Sequence, residues 1–272
     1  MAPWAVFLPP SPEPTINTTS WLAYDHYAYA AFAVLGTLAA VLFIQWALLR
    51  SRWAGWLQGL QGVAPPFINI IGVLFGLTLA FLANDTWSAH DKAMTAVYQE
   101  ADALRTLRVL GRELPAPLRQ ALDDAVLAYA RASAAEWPAL ARREQSPAVQ
   151  AQGEALLHLL AGRAVEQAAG AGVQAQMLRE ARLLAGQRDL RIALSQTHIN
   201  PLKWLGMAFL GFVTLLSVAV VHIDRPRVVA TATVLFALAA APTATIVLIQ
   251  GNPFQQPTAV TPAPLLAATG SP

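Results

Sequence analysis

Few side chains in this sequence could carry acid–base or metal chemistry, and they are scattered. His26, His90, His158, His198 and His222 show no H-x-x-x-H or histidine–carboxylate spacing that would set two ligands on one helix face. They read as solvated or interfacial residues. Asp123-Asp124 could form a carboxylate pair, but helical neighbours point about 100° apart, so a solvated face is the better reading. A Walker loop, a G-x-S-x-G elbow and a Rossmann glycine pattern are all missing, and with no cysteine there are no disulfides or thiolate metal sites. No catalytic residue, metal site or cofactor is expected, and the chain does not read as an enzyme.

One spacing suits a different chemistry, the passage of ions. Asn69, Val73, Leu77 and Phe81 recur every fourth residue and are followed on the same side by Asn84 and Asp85. Several copies of this face around an axis would make an apolar neck (Val73, Leu77, Phe81) with polar mouths (Asn69, Asn84, Asp85), the arrangement that gates by dewetting. Beside it, Gly72-x-x-x-Gly76 is a small-xxx-small face that lets helices approach closely. Packing alone is the alternative reading, and both can hold in one assembly.

Four apolar segments must position that stripe. A spanning helix needs roughly 20 mostly apolar residues. Tyr27 to Leu49, Val63 to Asn84, Trp204 to Val221 and Val228 to Ile249 are uncharged and of that length. The last two, separated only by the turn from His222 to Arg227, form a helical hairpin. With 56% hydrophobic residues, 12% charged residues and a mean hydropathy of +0.44, the composition is that of an integral membrane protein. The net charge of +2 comes with no clustered basic face, which argues against nucleic acid as a partner.

The organisation expected is an all-α membrane protein of four transmembrane helices with a large helical extramembrane insert between the second and third. An N-terminal tail (1–26) leads into the first two spans (27–84). The insert (85–200), the hairpin (201–250) and a Pro/Ala-rich C-terminal tail (251–272) follow, this last read as extended and partly disordered. The N-terminus lacks a basic n-region and is broken by prolines, so it does not read as a cleaved signal peptide.

In the insert thirteen basic residues balance thirteen acidic ones, and helix formers dominate. Helices are expected over about 86–112, 115–137, 147–169 and 173–199. Met94, Val97, Ala101 and Leu104 give one apolar stripe, and Leu118, Leu122, Val126 and Tyr129 another. Pro115, Pro138, the Ser146-Pro147 pair, Gly170 and Gly172 mark the breaks.

Arg50 and Arg52 follow the first span, and Arg225 and Arg227 sit in the hairpin turn, while neither tail carries Lys or Arg. The positive-inside rule retains those four in the cytoplasm, which puts the termini and the insert on the periplasmic side of a bacterial inner membrane.

The run from Gly72 to Trp87 behind Pro66-Phe67 resembles the pore helix of bestrophin channels, and still more the bacterial bestrophin-like domain of unknown function. Shared features are the Phe81-x-x-Asn84 ending, the following Gln99-Glu100-Ala101-Asp102-Ala103-Leu104, and Asn252-Pro253-Phe254 after the closing hairpin. The resemblance implies a homo-oligomeric, pentameric channel for inorganic ions in the lipid bilayer, with the second span lining the pore and the insert helices forming a vestibule. It also implies a cytoplasmic insert, opposite to the arginine count. Leu82 stands where bestrophins usually have arginine and Gly251 where relatives often have aspartate, and no acidic cluster resembles their calcium clasp.

Two other readings remain. A non-conducting sensor or scaffold would use the insert to bind a small ligand or protein partner. A transporter would be expected to place ionisable residues or broken helices at mid-membrane, where only Ala241-Pro242 offers a break.

Overall fold

In the computed structural model, residues 24–52, 54–59, 62, 64–196 and 201–270 are described. Eleven α-helices and no strand occur among them. They are α1 (Asp25–Arg50), α2 (Ala54–Gly59), α3 (Ala64–Leu110), α4 (Ala116–Ala135), α5 (Trp137–Ala141), α6 (Pro147–Leu160), α7 (Arg163–Ala169), α8 (Ala171–Ser195), α9 (Pro201–Val221), α10 (Pro226–Ile249) and α11 (Ala263–Ala268). Helices α1, α9, α10 and the first half of α3 are long and apolar enough to cross a membrane, so the chain is a multi-pass, all-α membrane protein. Their apolar windows are only 17–28% buried within the chain, which leaves most of that surface for lipid or for other copies of the protein.

The second span and the first insert helix, separate in the sequence reading, are one helix of 47 residues, about 70 Å long. Pro65 and Pro66 lie in its first turn, where their missing N–H groups cost nothing. From Leu77 to Leu110 no proline or glycine interrupts it. Crossing from an apolar to a polar environment needs no backbone break, so α3 runs through about 30 Å of hydrocarbon and on into the insert.

The other insert helices are more finely cut than expected. The stretch 115–137 divides at Glu136 into α4 and α5, and 147–169 divides at Gly162 into α6 and α7. Gly170, at φ 81°, separates α7 from α8, and α8 starts at Ala171 and ends at Ser195. The expected extension to 199 lies outside the described residues. Val97, Ala101, Leu104, Leu122, Val126 and Tyr129 all enter the insert core, while Met94 stays exposed.

The C-terminal tail is the largest correction. Instead of an extended, partly disordered tail, its described part is folded onto the insert: Phe254, Val260, Leu265 and Ala268 are buried in the insert core, and α11 packs on α3 and α4. Its prolines set turns, and its few apolar side chains fill the core. Three bonds fasten it: Trp137 Nε1 donates to Val260 O (2.5 Å), Asn252 Nδ2 to Leu140 O (3.2 Å) and Arg108 Nη1 to Ala268 O (3.2 Å). The histidine reading also needs amending. His26 is 2% exposed, because the start of α1 is covered by the chain that follows α10. His198 and residues 1–23 of the N-terminal tail lie outside the described residues.

Helices α1 and α10 run antiparallel, joined by a bond from Gln45 Nε2 to Thr233 Oγ1 (3.1 Å). Gln255, just beyond α10, donates from Nε2 to Asp25 Oδ1 at the start of α1 (3.1 Å). The bundle therefore has two ends. One carries the insert, and the other carries Arg50, α2 and the hairpin turn.

Candidate functional site

Val73, Leu77 and Phe81 are 68%, 49% and 62% exposed. The opposite side of α3 is covered, with Leu79, Leu82 and Ala83 buried against Met207 of α9 and Ala244 and Val247 of α10. Tertiary packing makes the division, since both sides are apolar but only one has partners within the chain. Among the described residues this face of α3 has no partner, so it is left to lipid or to another copy of the protein. Gly72 and Gly76 flank the stripe, and a Cβ added at either would meet nothing within 4 Å. Among the described residues no other helix packs against them.

Asn69 is exposed at the end away from the insert and Asn84 and Asp85 at the insert end. The Asp85 carboxylate is not a lone charge, because Lys203 Nζ of α9 lies 2.8 Å from its Oδ2. Two residues further, Trp87 Nε1 donates to Gln250 Oε1 (2.8 Å) and ties α3 to the end of α10. The positions expected to work together are thus on one helix, although not on a straight line. A four-residue row winds by about 40° per step, which turns Asn69 about 120° from Phe81. Such rows are inclined by about 26° to the helix axis.

Past the apolar stretch the Phe81 side of α3 turns polar through Ser88, Lys92, Thr95 and Gln99. Ser88, Lys92, Thr95 and Gln99 border a hollow of about 600 Å³ that reaches Gln187 and Leu190 of α8. No group of three or more His, Asp or Glu residues among the described residues is placed to hold a metal ion.

The insert contains a buried charged network that the sequence reading passed over. Arg191 of α8 and Glu100 of α3, both fully buried, meet through Arg191 Nε to Glu100 Oε2 (2.6 Å) and Nη2 to Oε1 (3.0 Å). Tyr129 Oη (2.9 Å) and Ser133 Oγ (3.0 Å) of α4 donate to Glu100 Oε1. Beside them Arg188 Nη2 reaches Glu136 Oε1 (2.7 Å), and the Arg191 guanidinium lies 4.9 Å from the Trp137 ring centroid. Burial, and then the Glu100 charge, push the Tyr129 phenol well above its ordinary 10.0. Tyr129 therefore stays a neutral donor across the physiological range. The network fixes the extramembrane half of α3 against α4 and α8 and so sets the direction of the helix that carries the stripe. A signal was present in the sequence: Glu100 sits between Val97 and Leu104 on a core-facing stripe, where a charge needs a partner.

Residues 35–265 match the Bestrophin-like domain. Among solved structures, a point variant of a bacterial bestrophin homologue from Klebsiella pneumoniae is 16% identical, with 89% of this chain and 98% of that chain covered at a TM-score of 0.57. The homologue solved by Zn-SAD phasing is 15% identical over 89% and 98% of the two chains, at 0.56. A membrane-protein variant reaches 0.61 at 15% identity, over 89% and 99%. At these identities the likeness is one of fold. No curated protein matches the chain.

Proposed function

The chain belongs to the Bestrophin-like family, and from that premise we propose that it assembles as a closed homo-oligomeric ring that passes inorganic ions along the α3 stripe. Five copies is the number the resemblance implies. The observation that carries the reading is the stripe itself, an exposed apolar surface on one side of a helix whose other side is already packed. Val73, Leu77 and Phe81 form the neck, Asn69, Asn84 and Asp85 its mouths, and Gly72 and Gly76 the close contact between neighbouring α3 helices. For the four-residue row to face one axis along its length, α3 crosses that axis at about 26°. The polar continuation through Ser88, Lys92 and Thr95 lines a vestibule.

Native mass spectrometry and cryo-EM of the protein in nanodiscs test this directly. The expected result is a closed ring with α3 innermost and a cation or anion flux in reconstituted vesicles. A monomer, or a dimer without a central axis, sinks the channel reading and leaves the sensor or scaffold, with the insert as its binding element.

For orientation, we propose the arrangement that the arginines favour, in a bacterial inner membrane with the insert outside the cytoplasm. Arg50 and the turn bearing Arg225 and Arg227 lie at the end of the bundle away from the insert. The chain has no cysteine of its own, so single-cysteine labelling is clean. In intact cells a membrane-impermeant maleimide is expected to label Asp124→Cys in the insert and to spare Gln58→Cys in α2 until lysis. The reverse pattern places the insert in the cytoplasm.

A further inference from the structure

The end of the bundle away from the insert carries charge without counter-charge. In the two stretches that hold the spans, His26 to Asn84 and Trp204 to Ile249, the only Lys or Arg residues are Arg50, Arg52, Arg225 and Arg227, and Asp224 is the only acidic one. Four cations against one anion leave a net charge of +3, all of it at this end. The four arginines are exposed, and among the described residues none is ion-paired. The insert end is built otherwise, since Lys203 Nζ meets Asp85 Oδ2 at 2.8 Å and Arg143 Nη2 meets Asp25 Oδ2 at 2.7 Å.

Packing gathers the four. Leu57 of α2, Ile223 of the hairpin turn and Val229 of α10 are buried in one apolar cluster with Ile44 and Leu48 of α1, so α2 and the turn fold against the end of α1. The bond from Gln45 to Thr233 fixes the register of α1 against α10. Arg50 comes five residues after Gln45 and Arg227 six before Thr233, which puts them about 8 and 9 Å past that bond, at one level. Behind that level the exposed surface is apolar. Leu38, Leu42, Trp46 and Arg50 recur at four-residue steps along the exposed side of α1. On α10, Leu238, Leu235, Thr231 and Arg227 follow one another down an exposed face in the same way. Each column is about 17–18 Å long, a little over half the hydrocarbon thickness of about 30 Å. It is therefore one leaflet of side chains capped by a guanidinium. Trp46 and Trp56 are both exposed close to these caps, the depth at which amphipathic indoles settle in a bilayer.

We propose that this end of the protein binds anionic phospholipid, with head-group phosphates accepting from Arg50, Arg52, Arg225 and Arg227 and the acyl chains lying along the apolar columns of α1 and α10. A guanidinium donates to a phosphate through two parallel N–H groups, and cations gathered beside a span draw the anionic heads of a leaflet. The columns select a lipid over a soluble anion, because only a lipid meets both the charge and the apolar surface behind it. A head that carries its own ammonium offsets its phosphate and brings a cation against the arginines, so it is held less well. Lipid held by Arg50 and Arg227 together bridges the first span to the hairpin. The site lies within one chain and does not depend on the ring.

The test is native mass spectrometry of the full-length protein carried into detergent from vesicles of equal phosphatidylglycerol and phosphatidylethanolamine. Phosphatidylglycerol is expected to be retained about tenfold over phosphatidylethanolamine, and the excess to shrink as salt is raised. Arg225→Gln combined with Arg227→Gln lowers that ratio severalfold, whereas Arg225→Lys with Arg227→Lys, which keeps the charge, preserves most of it. Arg131→Gln with Arg182→Gln removes two exposed arginines of the insert and leaves the ratio unchanged. Equal retention of both lipids by the unaltered protein, or the same ratio in the two glutamine pairs, overturns the proposal. Displacement of the bound lipid by added inorganic phosphate assigns the arginines to a soluble anion and overturns it as well. The same spectra count subunits, so a loss of lipid preference in an intact ring is distinguished from a failure of the ring itself.

Discussion

Replacing Phe81 with alanine is expected to raise the current through reconstituted protein about tenfold, the change produced by lowering a barrier by about 1.4 kcal/mol. The argument turns on where the side chain lies. Phe81 is 62% exposed in the chain, so its ring contributes little to packing within the subunit and truncation leaves the fold standing. In a ring, each copy withdraws an apolar group from the same level of the neck. That widens the narrowest dry section and lowers the cost of wetting it. Leu77→Ala acts in the same direction one turn away, and more weakly, since a smaller side chain is removed. Leu82→Ala provides the contrast, because Leu82 is 7% exposed and packed with Met207 and Val247. It should lower thermal stability and leave the conductance of the surviving channels unchanged. Currents unaltered by both Phe81→Ala and Leu77→Ala would remove these residues from any neck.

The contrast between Phe81 and Leu82 shows how far the sequence could be read. Hydropathy identifies the four spans because the bilayer demands one simple property over a fixed length. The four-residue recurrence from Asn69 to Phe81 is equally visible. The sequence does not say which apolar face of α3 is free, as Leu79 and Leu82 are no less apolar than Leu77 and Phe81. That was decided by the partners on α9 and α10, which are more than a hundred residues away. The continuity of α3 was obscured for a related reason, since the composition changes at Asn84-Asp85 while the backbone conformation does not.

The C-terminal segment was misread because proline-rich composition speaks to local stiffness and not to what the apolar residues between the prolines can reach. Phe254 and Leu265 find a core in the insert, and Trp137 holds the intervening Val260 carbonyl. The Asn252-Pro253-Phe254 sequence, legible only as a motif, acquires a physical role here. Asn252 Oδ1 accepts from the Phe254 backbone N–H (2.9 Å) while Asn252 Nδ2 donates to Leu140 O (3.2 Å), and the segment turns from the membrane onto the insert. Arg143 was one of thirteen basic residues in a balanced insert, and nothing local distinguished it. Its link to Asp25 joins positions more than a hundred residues apart.

The buried pair in the insert supports the other large effect. Glu100→Ala is expected to destabilise the protein by about 3–5 kcal/mol, because it strands Arg191 as a fully buried cation. Arg191 Nη2 keeps Ser133 Oγ at 2.7 Å and a longer approach to Glu136 Oε2 at 3.7 Å. Those contacts do not replace a carboxylate that took two of its nitrogens. In a thermal melt of the detergent-solubilised protein the loss corresponds to a fall on the order of 10 °C. The pair itself need not stabilise the fold, since taking both charges from water costs about as much as their attraction returns. Glu100→Leu combined with Arg191→Met should therefore recover most of the melting temperature, while freeing α3 from the specific alignment with α4 and α8 that the charged network imposes. If α3 carries the neck, that double variant is well folded yet conducts abnormally. A Glu100→Ala melting curve that overlays the original would show that the network is solvated in the assembled protein, and that the direction of α3 is set by apolar packing alone.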